Sequence, residues 1–427
     1  MCNFGIHRIS LFDGIRNLSE IIEQGASMES QIQTTSAYDG DITIIEFSNR
    51  TGEERKLMKR FVDFHWDHYR GNPQYVPLLD YEYLGLKIAG ITGFFESNNL
   101  FYRHAEIRFF IAYRGENMVG RTVAFVNHDH NERWNDNVGF FGQFESIEDQ
   151  IVTNALLASA RTWLLSKGMD TIRGPQNFPV NEATPGVMTE GFESRPVIYY
   201  HYNKPYYADL MLGAGMKSIK RVFSWEVAVN NPFEEKLIRV AQKVISRFEV
   251  TIEGLDDRPF AERKREMLEV YNDAWSDNFG FVPFREEEFY SILDDMKMIM
   301  DKDLYIFLYV RGELAAFFGG VPNIFERMTP HPKGRHLELL RAAKVILPFG
   351  RTKGYRLGYL GVKRKFRRIG LDGVMLWKQK IFSQKAGYEY SDMGWVLEGN
   401  AATINLVNFM SAVPSKTYTI FEQKIEQ

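Results

Sequence analysis

The chain has 427 residues, more than one ordinary hydrophobic core supports, so two domains are expected. Hydrophobic residues at 44% and charged residues at 25% exclude wholesale disorder, and a net charge of −3 excludes a chain-wide polyanion binder. The single cysteine, Cys2, excludes an intramolecular disulfide and a Cys-based zinc site. No apolar run approaches the roughly 20 residues of a membrane helix, and the first residues lack the basic-then-apolar layout of a leader. The expected location is the cytoplasm, with no membrane association.

Residues 1–40 read as an N-terminal extension, with a polar QIQTTSAYDG stretch at its end and a second possible start at Met28. Residues 42–47 predict a strand rich in β-branched residues. Residues 51–69 predict a helix, broken by Gly71, Pro73 and Pro77. Two strands over 107–113 and 118–126 are joined by an Arg-Gly-Glu-Asn turn, and a further apolar strand follows at 138–144. A periodic helix over 151–167 closes at Gly168. A strand starts at 171, and the segment 173–196 reads as a long loop, a common place for function. A short helix over 206–212 and a strand over 221–229 complete the first half.

The pattern then restarts. Helices are predicted over 233–248, 259–275 and 285–300, with strands over 250–253, 304–310 and 314–318. A strand over 355–362, a helix over 371–385, a strand over 390–397, a helix over 401–410 and a final strand over 417–422 end the chain. The halves repeat one order. AYRGENMVGRTVAFVN answers YVRGELAAFFGGVPN, and MKSIKRVFSWEV answers VPSKTYTIFEQK. An internal duplication follows, with an N-terminal domain over 41–230 and a C-terminal domain over 231–427.

The most informative segment is LGYLGVKRKFRRIGLDGVMLWKQK at 357–380, an apolar strand that enters a basic glycine-containing loop and then a helix. Unpaired N–H groups at a helix N-terminus suit a phosphate, and Gly370 lets backbone approach it closely. Lys363, Arg364, Lys365, Arg367 and Arg368 add positive charge. Without its flanking strand and helix the same run reads as a solvated basic loop or a nucleic-acid patch.

This loop resembles the pyrophosphate motif of the GNAT superfamily of N-acetyltransferases, Arg/Gln-x-x-Gly-x-Gly/Ala, with Arg367 and Gly370 in register. The element order of each half, together with NDAWSDNFGFVPF, GWVLEGN and GPQNFPVNE, is similar to bacterial tandem-GNAT proteins. The resemblance covers 42–427. It implies an α/β (α+β) fold of two tandem GNAT-like domains, each a mixed, mostly antiparallel sheet flanked by helices. It implies an acyl-CoA-dependent N-acyltransferase, with acetyl-CoA or another acyl-CoA as co-substrate, no metal, and a small-molecule or peptide amine as acceptor. Donor contacts would come from Leu360, Val362, Arg367, Arg368, Ile369, Gly370, Leu371, Asp372, Gly373 and Asn400.

Two positions depart from the motif. Asp372 stands where a small residue is usual, and Val407 stands where the family often places a tyrosine general acid. Glu398 is then the candidate base, and Tyr418 or Tyr359 the candidate acid. Asn177, Asn181 and Glu182 in the long loop are candidate substrate contacts. In the first half, Glu145, Glu148 and Asp149 occupy the place of the phosphate loop, so that half is expected to be degenerate. His65, His68, His128 and His130 form no ligand set with a third member. Two other functions stay open: an aminoacyl-tRNA-dependent transferase of the tandem-GNAT type, and a non-catalytic CoA-binding or regulatory protein.

Overall fold

The computed structural model describes residues 33–38, 41–49, 51–87, 90–178, 181, 183–231, 235–328, 338–346 and 352–425. Nearly all of the predicted N-terminal extension, with Met28, lies outside the described residues, as does Glu182.

The first half begins with β1 (Gln33–Tyr38) and β2 (Ile42–Phe47), followed by α1 (Gly52–His68). Thr51 caps α1, accepting from the Glu54 N–H, while the Glu54 carboxylate accepts from the Thr51 N–H at 2.7 Å. After α2 (Asp80–Leu84) come the hairpin strands β3 (Ala105–Arg114) and β4 (Asn117–Asn127), then α3 (His128–Trp134). Next are β5 (Val138–Ser146), α4 (Gln150–Ser166) and β6 (Thr171–Gly174). The segment read as one long loop contains a short strand, β7 (Val187–Glu190), and leads to α5 (Tyr207–Gly213) and β8 (Lys217–Ala228).

The second half repeats the plan. It contains α6 (Glu235–Phe248), β9 (Val250–Gly254), α7 (Phe260–Ala274), α8 (Glu286–Met296) and the hairpin β10 (Tyr305–Val310) and β11 (Glu313–Pro322). Then come α9 (Glu338–Ile346), β12 (Gly354–Val362), α10 (Leu371–Lys385), β13 (Tyr390–Leu397), α11 (Ala401–Phe409) and β14 (Val413–Lys424).

One sheet crosses both halves, in the order β1-β2-β3-β4-β5-β6-β14-β8-β13-β12-β11-β10-β9, with β7 also on β14. Among the described strands only β5–β6 and β12–β13 run parallel, at equivalent places in the two halves. The last strands are exchanged. β14, at the end of the second half, lies between β6 and β8 of the first, while β8 pairs with β13. The boundary near residue 230 therefore marks the sequence repeat, and the backbone hydrogen bonding crosses it.

Side chains seal the same junction. Val76, Leu79 and Ile198 are buried with Met296, Val321, Phe325, Met328 and Val345. Burying side chains of this size contributes on the order of 10 kcal/mol in sum, comparable to the whole stability of a domain. A second cluster joins Tyr69, Tyr200 and Val222 to Leu397, Tyr418 and Ile420.

Candidate functional site

β12 and β13 are paired only from Gly354↔Tyr390 to Leu357↔Met393. Beyond that point β12 stays with β11 as far as Val362, while β13 stays with β8 through Val396 and Leu397. The two strands part, and a cleft of about 940 Å³ opens between them. A register shift against β11 falls at Gly358, where the gap begins. Such a bulge re-aims backbone groups, and among the described strands none lies opposite the β12 edge that faces the gap. A Cβ on Gly358 would have its nearest neighbour only at 3.9 Å, so this backbone is open to a ligand. Trp275, just after α7, backs Gly361 and stacks on Tyr271 at 5.0 Å, and both rings border the cleft.

The basic loop stands at the mouth. Gly370 is the N-cap of α10 with φ +90°, a conformation that favours glycine. The first backbone bond into this turn comes from Val374, whose N–H donates to Gly370 O at 3.3 Å, so the earlier N–H groups are available to an anion. Leu360, Val362, Arg367, Arg368, Leu371 and Asp372 border the cleft. Ile369, Gly370 and Gly373 belong to the same turn. Asn400, also at the cleft, caps α11 by accepting from Thr403 N–H at 3.2 Å.

Most of the loop's charge is already neutralised. Lys363 pairs with Glu269, Arg364 with Asp273, Lys365 with Glu313 and Arg367 with Asp277. Arg368 makes no ion pair with a described residue.

The proposed acid and base are not brought together. Glu398 borders the gap, but Arg221 donates to it through Nη2 at 2.7 Å and Nε at 3.1 Å. This pair holds the Glu398 carboxyl below its usual range, which makes it a weak base. Tyr418 is fully buried on β14, outside the cleft lining, and donates to His201 O at 2.9 Å. Burial pushes its hydroxyl well above the usual tyrosine range, and the side chain does not reach the cleft. Tyr359 does border the gap, and Val407 is buried on α11.

Sequence reading missed a charged pair at the fork. Arg356 and Asp392 are register partners on β12 and β13, one pair before the strands part. The Arg356 guanidinium donates to Gly394 O at 3.4 Å and Ile198 O at 3.3 Å and lies 4.6 Å from the Tyr200 ring centroid. Burial pushes Asp392 up to about 6, against the opposing pull of Tyr200, Arg356 and Ser224 around it. The signal in the sequence was one charged residue inside each of two otherwise apolar strands.

The cleft continues toward the first half. A smaller cavity of about 100 Å³ shares Tyr271, Trp275, Asn278, Phe279, Trp395 and Leu397 with it and is closed by Phe125, Phe140 and Pro175. The loop carrying Asn278 and Phe279 is held by the first half. Trp134 Nε1 donates to Phe281 O at 3.0 Å, and Arg133 donates to Ser276 O at 2.5 Å. Asn181 borders both spaces. Asn177 does not reach the large cleft; its side chain accepts from Gln143 N–H at 2.8 Å.

The equivalent gap of the first half is filled. The segment after β6 packs across it, with Gln176 N–H donating to Phe141 O at 2.7 Å, and a Cβ on Gly142 would collide with the Gln176 carbonyl. Asp149 caps α4 and pairs with Arg114 at 2.6 Å. Glu145 is buried and accepts from Tyr69 and Tyr207 at 2.6 and 2.5 Å. A small cavity of about 80 Å³ remains beside it.

Among the described residues no group of three or more His, Cys, Asp or Glu is placed to hold a metal ion, and no helix is long and apolar enough to cross a membrane.

No family model matches the chain. It is 28% identical over 386 residues to Protein YghO of Escherichia coli, covering 88% of this chain and 95% of that protein. It is 28% identical over 347 residues to the bacterial ceramide synthase of Caulobacter vibrioides, covering 77% and 86%. The GCN5-related glucosamine N-acetyltransferase region of a fungal multi-domain GH3 β-N-acetylglucosaminidase superposes with a TM-score of 0.53 at 12% identity, over 91% of this chain and 39% of that one. The repeated element order, the forked parallel pair and this superposition agree: the chain has the GCN5-related N-acetyltransferase fold, in two tandem copies.

Proposed function

We propose that the protein is an N-acyltransferase that moves an acyl group from a phosphopantetheine thioester, the reactive arm of acyl-CoA, to the amine of a long-chain apolar acceptor. The observation that carries this reading is the fork of β12 and β13, which opens beside a helix N-terminus and runs on into an aromatic cavity. The residues present fit such a donor. Gly358 and Gly370 leave room for close backbone approach, the first turn of α10 offers N–H groups to a phosphate, and the free edge of β12 offers N–H and C=O groups to the amides of the arm.

The reaction forms a C–N bond at the thioester carbonyl and breaks the C–S bond, while the amine proton passes to the departing thiolate. The chain's part is to bind, orient and exclude water. Tyr271, Trp275 and Trp395 wall the gap, and backbone donors at the fork favour charge developing on the carbonyl oxygen. Glu398, a weak base, contributes little beyond holding Arg221.

The long-chain acceptor rests on the aromatic continuation of the cleft and on the ceramide synthase relative, since a ceramide is an amide of a fatty acid and a long-chain amine. The aminoacyl-tRNA reading draws no support from the loop, because four of its five cations are already paired.

The test is incubation of the purified protein with hexadecanoyl-CoA and sphinganine, reading thiol release and amide mass together. Equal amounts of thiol and N-hexadecanoyl product are expected. Thiol release without amide, or neither product with sphinganine, octadecylamine or glucosamine as acceptor, would remove this reading.

A further inference from the structure

α6 carries an unexplained row of charge. Lys236, Arg239, Lys243 and Arg247 are all exposed, and none makes an ion pair with a described residue. At about 100° per residue they lie within roughly 80° of arc, and they extend about 16 Å along the helix. The opposite face is spent on the core, with Ala241 and Val244 buried. In the phosphate loop, by contrast, Lys363, Arg364, Lys365 and Arg367 are each paired with a carboxylate.

The stripe borders the mouth of the site. A Cβ on Gly370 would sit 3.1 Å from Val244 Cγ2, and one on Gly373 would sit 3.4 Å from Leu237 Cδ1. α6 therefore lies directly against the first turn of α10, the end at which a phosphopantetheine arm would enter. Arg368, also unpaired among the described residues, is in the same turn. Asp372 is exposed in that turn and borders the cleft. Its carboxylate disfavours the pyrophosphate of CoA more than the single phosphodiester of a protein-borne arm.

Resting on the reading of the cleft as a thioester site, we propose that α6 is the docking face for an acyl carrier protein, an acidic helical protein that delivers the acyl group on its own phosphopantetheine. Charge complementarity selects this partner: a row of cations along one helix matches carboxylates displayed along another, and such rows govern encounter rate and orientation. An anionic membrane is disfavoured because the stripe includes a single exposed apolar side chain, Val240, whereas interfacial helices bury a broad apolar face.

The test compares the wild-type chain with a variant carrying Lys236→Gln, Arg239→Gln, Lys243→Gln and Arg247→Gln, all at exposed positions. Hexadecanoyl-loaded acyl carrier protein and hexadecanoyl-CoA are used as alternative donors. With the carrier, KM is expected to rise at least tenfold in the variant while kcat stays within twofold; with hexadecanoyl-CoA neither changes. Direct binding of the carrier, followed by calorimetry at low salt, should weaken by the same factor and be lost in 0.5 M salt. This binding readout needs no turnover, so it stands or fails separately from the acyltransfer reading. Equal carrier affinity in both proteins would overturn the proposal. So would loss of binding to phosphatidylglycerol vesicles with carrier kinetics unchanged, which would assign the stripe to a membrane.

Discussion

Arg356 on β12 and Asp392 on β13 face each other across the parallel ladder, one register pair before the strands part. Arg356 also bonds to Gly394 O at the start of the gap and to Ile198 O in the first half. The fork and the inter-half contact thus share one buried cation. Removing the guanidinium leaves the Gly394 and Ile198 carbonyls without this donor, a loss of about 1–3 kcal/mol. Arg356→Met is expected to lower the urea midpoint markedly and to reduce transfer activity in the protein that remains folded. Unchanged stability would show that the pair does not hold the fork.

The pH dependence of Asp392 has a defined sign. Its folded pKa, about 6, lies above the ordinary aspartate value of 3.8, so the folded chain holds a proton that the unfolded chain has released. The contribution is present below about pH 3.8 and is lost as pH rises through 6. In Asp392→Asn this term is absent. Between pH 4 and 7 the stability difference is expected to shift in the variant's favour by up to about 3 kcal/mol, whatever its offset at pH 4. Parallel stability curves from urea titrations would contradict this assignment.

Glu398 is tied to Arg221 and held below its usual pKa. Glu398→Gln is therefore expected to lower kcat less than tenfold and to leave the acid limb of the pH–rate profile in place. A loss of a hundredfold or more, with that limb shifted, would make Glu398 the base after all.

Much of this was legible in the sequence, and what was not has physical causes. The strand–loop–helix at 357–380 was legible because Gly370 and its neighbours act locally. The duplication was visible because each half must form its own strands and helices. The exchange of β8 and β14 was invisible, since strand partners across more than a hundred residues leave no local pattern. The basic loop misled in part: Glu269, Asp273 and Asp277 lie four apart on and just beyond α7, and only the fold brings that stripe to the loop. Tyr418 falls in the predicted last strand, yet it is buried in the junction core.

The exchange bears on truncation. A fragment starting near residue 230 would retain β13 and β14 but lose β8, which lies between them, and β6 on the far side of β14. It would expose the apolar junction around Val321, Phe325 and Met328 as well. Such a fragment is expected to be insoluble or inactive, and the full chain to unfold in one cooperative transition. A soluble fragment with full activity, or two separated calorimetric transitions, would contradict the shared sheet.

The central claim is that the fork between β12 and β13 is the single thioester site of the chain. Titration of octanoyl-4′-phosphopantetheine, the part common to CoA and carrier-borne donors, tests it most directly when wild type and Gly370→Glu are compared. The substitution puts a side chain at φ +90° with its Cβ near Val244, at a cost of about 1–2 kcal/mol that the fold tolerates, and brings a negative charge into the phosphate turn. One ligand per chain is expected for wild type and none for the variant, with both proteins folded by circular dichroism. A stoichiometry near two, or equal affinity in the two proteins, would contradict it.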